Sequence, residues 1–442
     1  MKKHLVSIVH YEVPSRSVRE AVTLARGLDH LPAGARVFIK PNLVFWSKSV
    51  PYPKWGVITT SRVVQDMVEL LAERGVSAMA IGEGMVTLKP GDRETLADAY
   101  RTLGYERLKK RFGVKLLNVF DRPFKEVDLG DGITLRFNAD ILESDFVVDL
   151  PVMKTHNQTV VSLGIKNLKG TIDIPSRKRC HNMEAGRNLH VHVSRLADPM
   201  PSMLTLIDGI YTSERGPGPD GKMRRSNLLV ASRDVLSADM VGARLLGYEA
   251  GEVPYIAHAA RRQGRPLDLS DIEIAGAGVE EVARRHGYDF VYAETEEVEL
   301  PLPLAKQGIR GIFYRKYDLS LCTYCSAVNG LLMMAIRGAW KGEPWDGIEV
   351  LTGKAMRPTP GMKKTILMGQ CMYRAHKDNP VIREMIAVKG CPPDPGDILK
   401  ALQKAGIDAD PRLFENLERL PGLFMKRYEN RPEFEEDFFR IS

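Results

Sequence analysis

Four of the chain's five cysteines fall in its last third, in settings that suit metal chemistry. Cys322 and Cys325 form a C-x-x-C pair, Cys371 follows the apolar run TILMGQ, and Cys391 stands in the sequence Gly-Cys-Pro-Pro. The glycine allows close backbone approach, while the proline removes a competing amide donor and stiffens the turn. An iron–sulfur cluster needs four thiolates that converge from rigid turns, with backbone amides free to bond its sulfides. These cysteines therefore predict one 4Fe–4S cluster.

Two other assignments of the same cysteines stay open. Structural zinc sites usually combine two C-x-x-C pairs, whereas this chain has one pair and two widely separated single cysteines. A dithiol redox pair at Cys322 and Cys325 would leave the Gly-Cys-Pro-Pro context unexplained. The fifth cysteine, Cys180, lies far from the others in the sequence RKRCHNM and is expected to be an incidental thiol. The pattern favours a cluster over zinc or uncoordinated cysteines.

A second group of residues has the composition of an anion site. A predicted strand delivers Lys154 and His156, and a glycine-bearing turn with Gly164, Lys166 and Asn167 follows. Glycines beside lysines let backbone amides and ammonium groups meet one phosphate or carboxylate. Further cations follow at Arg177, Lys178, Arg179, His181, Arg187 and His190. A solvated basic loop is the alternative interpretation of this segment.

Other polar residues stand at the ends of predicted strands: Lys40 and Asn42 in the sequence Lys-Pro-Asn, Glu83 between two glycines, and Asp208 before a glycine. Because the carboxyl ends of parallel strands face one crevice, distant residues can meet around one ligand. An aspartate at a strand end is also a common turn or helix cap. The predicted ligand-binding set is Lys40, Asn42, Lys154, His156, Lys166, Asn167, His181 and Asp208.

The elements that must position these residues alternate between strand-like and helical patterns. Apolar runs bounded by Gly, Pro or Asp predict strands at LVSIVHYE, ARVFIKPNL, AMAIGEG, FVVDLPVMK, MLTLIDGIY, NLLVASRDV and IEIAGAG. Helical patterns cover residues 61–74 and 237–246. We therefore predict an α/β fold with mostly parallel sheets covered by helices, and a second, smaller α/β unit that bears the cysteines. Prolines and glycines at 301–311 place the boundary, giving a ligand-binding domain at 1–305 and a cluster-binding domain with a helical tail at 306–442.

Composition limits the classes of function. The 442 residues are 44% hydrophobic and 27% charged, with a net charge of +7, as in globular proteins. No run approaches the roughly 18 apolar residues of a membrane span, and no signal-peptide core is present, so we expect a cytoplasmic protein without membrane contact. The basic residues are scattered and lack aromatic interleaving, which argues against a nucleic-acid partner. A small anionic ligand, or an acidic redox partner protein, accounts better for the charge.

Several short motifs together resemble the domain-of-unknown-function family 362, over about residues 1–280. The matching segments are IKPNL at 39–43, GEG at 82–84, KTH at 154–156, GIKNLKG at 164–170, IDGI at 207–210, GPG at 216–218 and SAD at 237–239. The resemblance implies an α/β domain that is often joined to iron–sulfur modules. Many members carry a ferredoxin-type run of four closely spaced cysteines, which this chain lacks. The family has no general assigned reaction.

A fainter similarity concerns the lactate racemase family. His156 and Lys166 stand ten positions apart and are similar to the stretch in which that family holds a nickel-pincer nucleotide. The fuller signature has a second glycine before the lysine and a Pro-Gly soon after it, where this chain has Ile165 and Lys169-Gly170. What the similarity implies for this chain is a shared geometry for binding an anion or nucleotide.

Together these features predict an iron–sulfur redox protein that delivers electrons to, or reduces, an anionic ligand bound in residues 1–305. If the protein is an enzyme, the expected class is oxidoreductase. One alternative is a redox-independent isomerase or racemase-like enzyme with a structural cluster. The other is a non-enzymatic electron carrier or assembly factor whose basic face docks an acidic partner.

Overall fold

The computed structural model describes residues 3–441, which fold into two α/β units, each around its own sheet. The first unit contains twelve strands, numbered in chain order. They are β1 (His4–His10), β2 (Arg36–Pro41), β3 (Ala78–Glu83), β4 (Lys115–Asn118), β5 (Phe124–Asp128), β6 (Thr134–Asn138), β7 (Phe146–Leu150), β8 (Val152–His156), β9 (Val160–Ser162), β10 (Met203–Glu214), β11 (Lys222–Ser232) and β12 (Ile272–Gly276).

Ten of these strands form one mostly parallel sheet in the order β12-β1-β11-β10-β7-β2-β3-β4, with β8 pairing β10 and β9. Only the pairs β1–β11, β10–β11 and β8–β9 are antiparallel. The remaining strands, β5 and β6, form a separate hairpin. Every residue of β7 and β8 is buried, as expected for strands covered on both faces.

Helices cover both faces of this sheet, and a separate apolar cluster fills the space on each side. The helices are α1 (Arg16–Leu24), α2 (Ser61–Glu73), α3 (Glu94–Thr102), α4 (Tyr105–Phe112), α5 (Ala139–Leu142), α6 (Gly164–Asn167), α7 (Ile174–Cys180), α8 (Leu189–Val193), α9 (Val235–Leu245), α10 (Pro254–Arg262) and α11 (Val279–Val282). The predicted helices at 61–74 and 237–246 correspond to α2 and α9. Thr60 caps α2, because its side chain accepts a hydrogen bond from the amide of Val63.

The second unit has a six-stranded sheet in simple sequence order, parallel except for its first pair. Its strands are β13 (Tyr292–Glu294), β14 (Val298–Pro301), β15 (Ile312–Tyr314), β16 (Ile348–Leu351), β17 (Lys364–Met368) and β18 (Glu384–Val388). Its helices are α12 (Leu302–Ala305), α13 (Thr323–Ala339), α14 (Gly369–His376), α15 (Pro395–Ala405) and α16 (Arg412–Glu415). β13 and β14 precede the predicted boundary at 305, and they belong to this sheet because β14 pairs with β15.

The C-terminal tail returns to the first unit. After two 3₁₀ segments at Leu417–Arg427 and Glu436–Phe439, its aromatic side chains pack on the first apolar cluster. The Phe434 ring lies 5.2 Å from the Trp55 ring, centroid to centroid. The two units and the tail together confirm the predicted α/β fold class. Within residues 3–441, no helix is both long and apolar enough to cross a membrane.

Candidate functional site

A cavity of about 150 Å³ lies where the first unit meets the start of α13. Its walls come from the loops after β2 and β3, from β8, and from α6 with the turn that follows it. The polar lining residues of the first unit include Asn42, Glu83, Lys154, His156, Gln158, Ser162, Lys166, Asn167, Lys169, Arg177 and His181. Thr323 and Ser326, which flank Cys325 in the first turn of α13, complete the wall. Six of the eight predicted ligand-binding residues therefore line one cavity.

The floor of the cavity is a hydrogen-bonded network of buried lysine and asparagine side chains. Lys154 Nζ donates to Asn42 Oδ1 at 2.6 Å and to the Val57 carbonyl at 2.6 Å. Asn42 Nδ2 donates to Asn167 Oδ1 at 3.0 Å, and Asn167 Nδ2 donates to Asp149 Oδ1 at 2.8 Å. These bonds fix the Lys154 ammonium group, and Asn42 is itself held because its backbone amide donates to Thr59 Oγ1 at 2.7 Å.

Lys40 lies behind the cavity wall and not on it. The side chain is fully buried, and its Nζ forms an ion pair with Glu83 Oε2 at 2.7 Å. Glu83 also accepts hydrogen bonds from the amides of Leu43 and Gly84. Burial lowers the pKa of Lys40, and the adjacent Glu83 carboxylate opposes that effect. Lys40 therefore orients Glu83, the one carboxylate among the polar lining residues.

Two histidines contribute ring nitrogens whose tautomers follow from their partners. The amide of Gln158 donates to His156 Nδ1 at 3.0 Å, so in the neutral ring Nε2 carries the proton. His181 Nδ1 lies 2.9 Å from the Leu319 carbonyl and must donate to it, which leaves Nε2 to accept from Lys169 Nζ at 2.7 Å. Burial lowers the pKa of both histidines, and the surrounding lysines lower it further. Both rings are therefore neutral near pH 7.

Lys166 projects from α6, a single helical turn held in place by a buried carboxylate. Asp239 accepts hydrogen bonds from the amides of Gly164 at 2.6 Å and Ile165 at 3.1 Å. Tyr255 donates a third hydrogen bond to Asp239. Burial raises the pKa of Asp239 to about 7. The Lys166 side chain has no hydrogen-bond partner within residues 3–441 and faces the cavity.

The lysines of the cavity have lowered pKa values, because they are buried and lie close to other cations. Burial lowers the pKa of Lys154 to about 7 and that of Lys169 to about 8. Burial also lowers the pKa of Lys166, and the adjacent Lys169 and Lys154 add to the effect. Like charges that have lost their hydration bind a counter-anion readily, because it relieves both costs. The arrangement suits a small anion.

Asp208 does not reach the cavity. Its carboxylate accepts hydrogen bonds from the amides of Thr60 at 2.7 Å and Ile210 at 3.1 Å, so it fixes the turn that starts α2. This is the structural role that is common for an aspartate at a strand end. Burial raises the pKa of Asp208 to about 6.

The four C-terminal cysteines occupy loop ends and helix starts on one side of the second sheet. Cys322 is the N-cap of α13 and Cys325 lies in its first turn, while Cys371 lies in the first turn of α14. Cys391 stands in the loop between β18 and α15. A hydrogen bond shared with Cys325 lowers the pKa of Cys322. That bond, burial, and the nearby Cys371 and Cys391 all raise the pKa of Cys325, so the four thiols lie within electrostatic reach of one another.

The thiols are not gathered around a single point. Among the described residues, no group of three or more His, Cys, Asp or Glu side chains is arranged to hold one metal ion. Cys180 lies apart from the four, fully buried in the second apolar cluster of the first unit. Gly369, whose φ is +85°, faces Cys325, since a Cβ at this position would lie 3.3 Å from the Cys325 sulfur.

Hydrogen bonds join the cavity directly to the loop that precedes Cys322. Gln158 Nε2 donates to the carbonyls of Asp318 at 2.9 Å and Leu321 at 3.0 Å. The His181 bond to the Leu319 carbonyl adds a third connection. Gln158 was not among the predicted site residues, and neither was Lys169, although its GIKNLKG motif was. Only the packing of the two units reveals the contribution of Gln158.

Comparisons with known proteins found the following similarities. Residues 37–244 match the family model described as Domain of unknown function (DUF362). Thylakoid-associated protein sll1697 of Synechocystis sp. is 29% identical over 239 residues, which are 52% of this chain and 68% of that protein. Among solved structures, the lactate racemase apoprotein from Thermoanaerobacterium thermosaccharolyticum aligns with a TM-score of 0.39 and 13% identity, over 96% of this chain and 81% of that one. So distant a structural likeness carries no information about ligand or reaction. The family match agrees with the resemblance seen in the sequence motifs: residues 37–244 of this chain are similar to the DUF362 family.

Proposed function

We propose that this protein holds a 4Fe–4S cluster on Cys322, Cys325, Cys371 and Cys391 and delivers electrons to, or reduces, a small anionic ligand in the cavity. The observation that carries the proposal is a wall shared by the cavity and the cysteine group. Thr323 and Ser326 line the cavity, and they flank Cys325 within a single helical turn. A ligand beside Lys166 would therefore lie next to the cysteine group.

The cysteine environment fits such a group. The N-termini of α13 and α14 provide free amides and a positive helix end, which stabilise thiolates. Lys178 Nζ lies 3.2 Å from Cys391 Sγ and adds a positive charge. A tetrahedral zinc site, with Zn–S bonds of about 2.3 Å, would require the four sulfurs to close on one point. Four thiols within electrostatic reach of one another, without a single-ion site among the described residues, support a multi-iron group over zinc.

When bound, a cluster of this kind supplies one electron at a time. The chain's own residues would do the rest. Lys154, Lys166 and Lys169 bind the anion, and the buried asparagine network orients it. His156 presents its Nε2–H at the cavity wall, where it can donate a hydrogen bond that orients the ligand. The tight lining and the small volume restrict the ligand to a compact molecule.

A second candidate function is that of a redox-independent isomerase or racemase in which the cluster is structural. The observation in its favour is Lys154, whose pKa is lowered to about 7 and which could therefore act as a general base near neutral pH. This candidate predicts turnover that is independent of the oxidation state of the cluster, whereas the main proposal predicts turnover only with a reductant.

A cytoplasmic location remains part of the proposal. All five cysteines are free thiols in the structure, which is usual in a reducing compartment. A peripheral association with a membrane, such as the name of the Synechocystis relative indicates for that protein, is the alternative. Fractionation of the native cells into soluble and membrane pools distinguishes the two.

The test of the main proposal is a redox titration of anaerobically purified protein with and without saturating sulfate. A bound anion beside the cysteines should make electron uptake harder and lower the cluster potential. Lys166→Met should abolish the sulfate effect while keeping the cluster, and Lys110→Met, an exposed lysine on α4, should leave it unchanged. A potential that is the same with and without sulfate in the parent protein would contradict the proposed coupling.

A further inference from the structure

The cysteine group has one side open to solvent. Cys371 and Cys391 are exposed, whereas Cys322 is buried and Cys325 is partly buried. The buried pair lies on the side of the cavity, since Thr323 and Ser326 line it. The cysteine group therefore has one pair beside the cavity and one pair that a partner could reach from solvent.

Cations from both units surround this exposed pair. Lys178 of the first unit places Nζ 3.2 Å from Cys391 Sγ. Lys354 of the second unit donates to the Lys178 carbonyl at 2.9 Å, which brings it to the same place. Lys389, two residues before Cys391, lies with Nζ 4.4 Å from the centre of the Tyr373 ring. The convergence of three separate segments makes this a built feature and not a run of charge in the sequence.

Two further exposed arginines extend the positive patch. Arg374 stands one helical turn after Cys371 on α14, so the two side chains share a face. Arg357 stands three residues after Lys354 and donates to the carbonyls of Ala355 and Met356. None of the lysines and arginines of this patch forms an ion pair with a carboxylate within residues 3–441. We call the exposed cysteines and these cations the cysteine face; its cations are Lys178, Lys354, Arg357, Arg374 and Lys389.

The cations around the exposed cysteines repel one another, and no carboxylate within residues 3–441 balances their charge. A negatively charged surface that covers these cations relieves their repulsion. Such a surface also accelerates encounter by electrostatic attraction, which suits a partner that must bind briefly and leave. The carbonyl of His181 accepts a hydrogen bond from Lys354. Two residues later stands Met183, an apolar side chain that is 54% exposed. The face is therefore mainly electrostatic.

We infer that the cysteine face docks a small acidic protein that carries a one-electron redox group. The inference rests on the proposed function, since the cysteines must hold a redox group for docking at this face to have a purpose. In each encounter the reduced partner loses one electron and the cysteine-held group gains it, with no bond made and no proton moved. The partner approaches from solvent, while the ligand occupies the cavity on the buried side.

Binding measurements with two probes of opposite charge test this docking. The probes are a small acidic 2Fe–2S ferredoxin and a basic cytochrome c, each titrated into anaerobically purified full-length protein at low and high ionic strength. The ferredoxin should bind and the cytochrome should not, and raising the salt should weaken binding at least about tenfold. The triple charge reversal Arg357→Glu, Arg374→Glu and Lys389→Glu should cause a similar loss. Lys110→Glu, on α4 of the first unit, should leave binding unchanged.

Iron and sulfide are measured in the same preparations, so the two proposals fail separately. Protein without iron and sulfide contradicts the proposed function itself. Protein that holds the cluster but binds both probes alike, or binds the ferredoxin equally well after the triple reversal, contradicts the docking inference. Binding to anionic phospholipid vesicles in place of the ferredoxin would also contradict it and would assign the cysteine face to a membrane surface.

Discussion

Anion binding in the cavity should take up protons, and the amount follows from the buried lysines. The pKa of Lys154 is lowered to about 7 and that of Lys169 to about 8, chiefly by burial. In the unfolded chain both groups have pKa values near 10.4, so folding releases protons above pH 7 and stability rises with pH there. A bound anion reverses this effect, because it favours the charged ammonium groups. Binding should therefore weaken as the pH rises through 7 and 8.

The expected proton uptake can be calculated for the case in which both lysines become fully protonated on binding. At pH 8 a group with a pKa of about 7 is about one-tenth protonated, and one with a pKa of about 8 is about half protonated. Binding would then take up about 1.4 protons at pH 8 but only about 0.1 at pH 6. The apparent affinity should fall about twentyfold between pH 6 and pH 8. Lys166, whose pKa is also lowered, would add to the uptake.

Calorimetry in buffers of different ionisation enthalpy measures this uptake directly. Sulfate is the suitable probe, because it does not titrate in this range. Lys169→Met should reduce the uptake at pH 8 by about half a proton, and Lys110→Met should not change it. A binding enthalpy that is the same in all buffers at pH 8, together with a pH-independent affinity, would refute the assignment of these lysines as the anion site.

Three further changes have specific expected outcomes. Lys166→Met should keep the fold and the iron content but abolish sulfate binding. If a thermal-shift titration shows unaltered binding, the basic segment around Lys166 is a solvated loop and not an anion site. Gly369→Ala should cost about 1–2 kcal/mol of unfolding free energy and reduce iron content, because φ is +85° and the new Cβ would press on Cys325. Gly330→Ala in α13, where a Cβ meets nothing within 4 Å, should be neutral or stabilising in the same denaturant titration. Asp239→Ala should cost about 1–3 kcal/mol and weaken sulfate binding, since α6 loses its buried cap; full-strength binding would show that α6 holds its position without it.

Sequence patterns predicted much of the cavity because strand ends obey a simple rule. Lys154 and His156 lie at the carboxyl end of β8, and Lys166 and Asn167 follow β9 in α6. The carboxyl ends of parallel strands face one crevice. The rule says less about where each side chain points. Lys40 stands on β2, yet its ammonium group turns to Glu83 behind the wall.

The contacts between the two units could not be predicted in the same way. Gln158 has no distinctive spacing, and its two bonds to the loop before Cys322 exist only because the second unit packs there. Asp239 stands in a motif, but its role as the cap of α6 depends on a helix 75 residues away in sequence. Long-range packing of this kind leaves no local periodicity. The sequence alone therefore predicts residues of the cavity and of the cysteine group, but not the contacts that join them.

The central claim is that four cysteines hold a 4Fe–4S cluster beside the anion site, and metal analysis tests it most directly. Anaerobically purified protein should be brown, absorb broadly near about 400 nm, and contain about four irons and matching acid-labile sulfide per chain. Replacing Cys371 with Ser should remove most of that iron, while replacing Cys180 with Ser should not. Stoichiometric zinc without acid-labile sulfide, or iron that is unaffected by the loss of Cys371, would contradict the account.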